Sequence, residues 1–144
     1  MTKKNIDTYL KMKISDMNPR ELIVFMYEST INLMEESKET IKNGDLQGTH
    51  TRLNRARNVF LHLLGTLNIE EGGDIAARLS SLYAYFIEKI TMANTTKDPE
   101  LLDEIIPLVV EIKDSWENME LDAEESKSPK TAGNIEGKLV SVEA

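Results

Sequence analysis

Residues 41–46, Ile41-Lys42-Asn43-Gly44-Asp45-Leu46, are where the fold is decided. Gly44 can take the left-handed conformation that stops a helix, and Asp45 offers a side-chain oxygen to the free N–H groups at the start of the next. One helix therefore ends and another begins within about three residues, and a connection that short leaves the two lying antiparallel. Similar punctuation recurs along the chain. Asn18-Pro19 with Glu21 has the composition of a capping box with proline preset for the first turn. The stretch from Asn68 to Asp74 contains Gly72-Gly73, a turn that needs permissive backbone, and Thr95-Thr96-Lys97-Asp98-Pro99 again ends in a cap followed by proline. Four helices are predicted, near residues 19–42, 46–67, 74–94 and 99–120.

Within these segments the apolar residues recur by threes and fours, the period of a helix. The expected core stripes are Ile23, Met26, Thr30, Leu33 and Ser37; Leu53, Ala56, Phe60, Leu63 and Leu67; Ala76, Leu79, Tyr83, Phe86, Ile90 and Ala93; and Leu102, Ile105, Val109, Ile112, Trp116 and Met119. The expected fold is all-α, an antiparallel up-down-up-down four-helix bundle about 30 Å long, with a flexible N-terminal arm and a flexible C-terminal tail. Its parts are an arm or cap at 1–17, the bundle at 18–120 and a tail at 121–144. The arm carries Lys3, Lys4, Lys11 and Lys13 against Asp7 and Asp16, with Ile6, Tyr9, Leu10 and Ile14 interspersed. The tail, with Ser126, Ser128, Pro129 and Gly133, has too little apolar content to order itself.

Composition narrows the function. The 144 residues make one domain, and a net charge of −8 argues against nucleic acid, whose binding rests on clustered Lys and Arg. The absence of cysteine excludes thiolate catalysis, disulfides and Cys-ligated metals. The N-terminus has no signal-peptide h-region and no apolar run approaches the roughly 20 residues of a membrane span, so the expected location is the cytoplasm, with no membrane insertion. His50 and His62 lack the Glu-x-x-His spacing of a di-metal bundle. His62-Leu63-Leu64-Gly65 matches poorly the His, Lys, Gly pattern of a histidine phosphotransfer bundle, which stands as the alternative function. No nucleotide-binding or nucleophile-elbow motif occurs. Accordingly no catalytic, cofactor-binding or metal-ligating residue is assigned.

The chain nevertheless holds more aliphatic residues than one core stripe per helix uses. Val59, Leu61 and Leu64 on the second helix and Leu101, Ile106, Leu108 and Val110 on the fourth form the surplus, and they are the candidate lining of a partner-binding groove. An amphipathic helix is the natural occupant. A wider core or a homodimer would use the same residues. Pro107 interrupts the fourth helix and is expected to kink or split it.

The order and spacing of several of these residues resemble those of the flagellin export chaperone family, FliS. The shared features are Pro19-x-Glu21-Leu22 with Tyr27, Gly72-Gly73-Asp74-Ile75-Ala76, Leu79-x-x-Leu82-Tyr83-x-Tyr85, Ala93-Asn94 and Trp116, spread from about Tyr9 to Met119. The resemblance implies a non-enzymatic helical bundle that holds the C-terminal segment of flagellin in the cytoplasm, prevents premature polymerisation and presents it to the export gate protein of the flagellar type III apparatus. It also implies an N-terminal cap over part of the binding surface, at Tyr9 and Ile14 here. Ser29-Thr30 departs from the Gly-Ala pair common in the family, and Pro107 from a usual helix former.

Overall fold

The computed structural model describes residues 17–126, with side chains through Met119. Four helices follow one another, α1 (Pro19–Lys42), α2 (Leu46–Thr66), α3 (Ile69–Thr96) and α4 (Pro99–Ser126). The Asn18 side chain accepts from the Glu21 N–H at 2.8 Å while the Asn18 N–H donates to Glu21 Oε1 at 3.0 Å, so the expected capping box is formed. At the first corner Gly44 takes a φ of 74°, and Asp45 Oδ1 accepts from the Gly48 N–H at 2.9 Å. The Thr40 and Thr49 hydroxyls, 2.6 Å apart, tie the two helices together beside it. Connections of two or three residues make consecutive helices antiparallel, and the packing closes a ring in which α1 touches α2, α2 touches α3, α3 touches α4 and α4 returns to α1.

Two boundaries differ from expectation by more than two residues. The long segment of α3 resumes after Gly73 as expected, but α3 already begins at Ile69, because Asn68 Oδ1 accepts from the Glu71 N–H and stabilises a helical turn before the glycines. The break falls on Gly73 alone, at φ 60° and ψ −136°. Helix α4 continues to Ser126, six residues beyond the predicted end. It also passes through Pro107 as one helix. Pro107 lies on the exposed side, as does Asp103, whose carbonyl loses its intrahelical partner there and is open to water.

The core follows the predicted stripes on α2, α3 and α4, where Leu53, Ala56, Phe60, Ala76, Phe86, Leu102, Ile105 and Val109 are fully buried. On α1 the stripe is Ile23, Tyr27, Thr30, Met34 and Ser37. Met26 and Leu33, expected inside, are half-buried, displaced by one residue in favour of Tyr27 and Met34. The reason is polar. The Tyr27 hydroxyl finds a buried partner in the Tyr83 hydroxyl of α3, which lets a large ring enter the centre without an orphaned O–H. Tyr27, Tyr83, Phe60 and Phe86 form a chain of tilted rings with centroids 5.1–6.4 Å apart.

Candidate functional site

With one face of each helix committed to the core, each surplus apolar residue lies within it, at its edge or on the surface. Leu61 and Leu108 are 40% and 38% exposed. Val59, Leu64, Leu101 and Val110 are half-buried at the edge of the core. Ile106 is only 7% exposed and belongs to the core, so the expectation that it lines a surface groove is corrected. Four residues beyond Leu102, it stands about 40° round the helix from a buried position and turns inward with it. Tyr9 and Ile14 lie outside the described residues.

Helices α2 and α4 face each other across the diagonal of the ring, so their surplus residues do not line one groove between neighbours. Polar contacts between helices show which flank is which. Asn94 Nδ2 and His50 Nδ1 are 3.0 Å apart across α3 and α2, and Lys89 Nζ bridges Glu104 at 3.2 Å across α3 and α4. Toward α1, Arg52 pairs with Glu36 at 3.2 Å from α2, and Asp103 with Lys38 at 2.6 Å from α4. At about 100° per residue, Leu61 and Leu64 share the His50 flank and Leu101 and Leu108 share the Glu104 flank. These four therefore border α3, from its two sides. Val59 and Val110 fall on the opposite flanks, toward α1.

Helix α3 supplies the residues that sequence reasoning missed. Leu82, Tyr85 and Met92 share the flank of Lys89 toward α4, and Ile87 lies toward α2. Lys89–Glu104 sets the antiparallel register, which brings Met92 level with Leu101 and Tyr85 level with Leu108. Of the four neighbouring pairs, α3 and α4 are the least closely packed, so this strip stays open. Lys89 also sits 5.6 Å from the centroid of the Tyr85 ring. Its ammonium pKa is raised, chiefly by the bond to Glu104 against a smaller opposing effect of burial. A recess of about 700 Å³ opens beside Asp74, Arg78 and Leu82. The other seam, between α2 and α3, carries Leu61, Leu64 and Ile87 beside a smaller recess of about 200 Å³. The detectable signal was the three-then-seven spacing of Leu82, Tyr85 and Met92, outside the core stripe of α3.

Among the described residues no group of His, Asp and Glu could hold a metal ion, and no helix is long and apolar enough to cross a membrane. His62 is exposed on α2. The arrangement suits reversible burial of an apolar, elongated partner.

Comparison with known proteins adds a family. The family model described as "Flagellar protein FliS" matches residues 1–123. The flagellar secretion chaperone FliS of Vibrio cholerae is 30% identical over 107 residues, covering 74% of this chain and 79% of the relative. The flagellar secretion chaperone FliSB of Pseudomonas aeruginosa is 27% identical over 110 residues, covering 76% and 87%. Among solved structures, a bacterial flagellar chaperone superposes with a TM-score of 0.67 at 22% identity, over 80% of this chain and 94% of that one, which shows the shared fold.

Proposed function

Because this chain belongs to the FliS family of flagellar proteins, we propose that it is a cytoplasmic export chaperone that binds the C-terminal segment of flagellin, prevents its premature polymerisation and delivers it to the flagellar type III export gate. The observation that carries this reading is the pair of half-exposed apolar seams on either side of α3. A segment that is disordered when free folds into helices on these seams and shields its own apolar face as it does so. A client touching both Leu61 and Leu108 has to pass round the bundle, because those residues lie on diagonal helices. Affinity is the apolar burial less the cost of ordering the client, which keeps it releasable at the gate. The basic arm, with Tyr9 and Ile14, covers part of this surface when no client is bound and is displaced by the larger client.

Isothermal calorimetry with a peptide of the flagellin C-terminal segment tests the reading. One-to-one binding with a negative heat-capacity change and a gain of helical circular dichroism is expected. Leu61→Glu and Leu108→Glu should each weaken it by roughly ten-fold, since a charge on either seam must then be desolvated. Absence of binding to the unmodified chain overturns the proposal.

A further inference from the structure

Charge is divided unevenly among the helices. Helix α2 holds Arg52, Arg55 and Arg57 and no acidic residue, whereas α4 holds one lysine, Lys113, among ten acidic residues. The arginines of α2 are not equivalent. Arg52 is engaged by Glu36 and by the Gly48 carbonyl, and Arg55 is exposed. Arg57 is half-buried in the α2–α3 seam, where among the described residues it has neither an ion pair nor a hydrogen bond. It borders the recess of about 200 Å³ together with Asn54, Thr91 and Asn94. Along the same flank of α2, Leu61 and Leu64 stand one and two turns beyond it. In the other direction Leu46, 62% exposed, lies three turns away.

An apolar helix laid along this seam would cover Leu61, Leu64 and the guanidinium together. Covering a cation without a counter-charge carries a desolvation cost that offsets the neighbouring apolar contacts, whereas a carboxylate in the right place receives a forked, charge-assisted pair of N–H bonds. We propose that Arg57 is a specificity-determining residue that receives an acidic side chain of the client, so that the α2–α3 seam takes amphipathic helices with a carboxylate on their apolar face and rejects purely apolar ones. This rests on the client-binding reading above. The client's Asp or Glu accepts from Arg57 in the recess, with the Asn54 amide and the Thr91 hydroxyl at its edge. Apolar neighbours one and two turns along the client helix meet Leu61 and Leu64.

The test is a double-mutant cycle on the full chain with the flagellin C-terminal peptide, read by calorimetry at low and moderate salt. Arg57→Ala should weaken binding about ten-fold, as should replacement of one particular acidic residue of the peptide by its amide. Together the two changes should cost little more than either alone, and the salt dependence should fall by the same amount in all three. Arg57→Lys should recover part of the affinity, Arg55→Ala should leave it unchanged, and thermal melts should confirm that each variant folds. Equal binding by Arg57→Ala and the unmodified chain overturns the inference while leaving the chaperone reading standing. So does an acid-to-amide series without coupling to Arg57. A peptide-free dimer that dissociates on Arg57→Ala would make a second copy of this chain the occupant, and also overturns it. If the unmodified chain fails to bind the peptide, the chaperone reading falls first.

Discussion

The Tyr27 and Tyr83 hydroxyls meet where α1 and α3 face each other, in a site almost closed to solvent. Burial pushes Tyr27 well above the usual phenol range, and the neighbouring Tyr83 adds to it against a smaller opposing bond from Trp116. Burial likewise pushes Tyr83 up to about 12, offset in part by its bond to Tyr27. Both groups hold their protons in the fold at a pH where the unfolded chain has begun to lose them. Stability from this pair is therefore fully present below about pH 10 and declines as pH rises from there through 12. Chemical denaturation at pH 8 and pH 11 should show that loss, and Tyr83→Phe should reduce it while costing about 1 kcal/mol at pH 8 for the hydroxyl left alone on Tyr27. An unchanged alkaline slope in Tyr83→Phe would assign the loss to other groups. Tyr83 and Trp116 were legible in the sequence as core residues by spacing alone. Tyr27 was not, because its pairing depends on a residue 56 positions away.

Among the elements, α3 departs most from a simple helix. Its first turn is capped by Asn68, and Gly73 then takes φ 60° and ψ −136° before the long segment resumes. A Cβ at Gly73 would meet nothing within 4 Å, so any cost of adding one is backbone strain. Gly73→Ala should destabilise by about 1–3 kcal/mol, or straighten the break and displace the Asn68 turn. Equilibrium unfolding, with hydrogen exchange at residues 69–75, distinguishes the two outcomes. The glycine pair advertised a break but not which glycine would make it, since both permit positive φ and only the position of the cap selects one. Pro107 makes the reverse point. Its residue type predicts a disrupted helix, yet its place on the exposed face of α4 lets the helix run on.

At the scale of the whole molecule, the ring order of the helices turns a list of surplus residues into two seams. It also sets the arginine-bearing α2 diagonally opposite the acidic α4, an electrostatic polarity whose steering of a charged partner weakens as salt rises. On the proposed reading the basic arm competes with a larger client segment. Deleting residues 1–16 should leave affinity for the flagellin peptide intact or raise it several-fold, as loss of a weak intramolecular competitor does. A large loss in the same titration would place the arm within the site. Sequence alone determined the helices, their antiparallel order and most of the core, because caps, prolines and a period of 3.6 act over a few residues. It also marked Leu61 and Leu108 as surplus. Only the tertiary structure decided that Ile106 belongs to the interior, that α2 and α4 are not neighbours, and that α3 borders both exposed strips. Those outcomes depend on how far each helix is rotated about its axis and which helix lies beside it. Both are settled by packing and pairing between residues distant in the chain, such as Tyr27 with Tyr83 and Lys89 with Glu104.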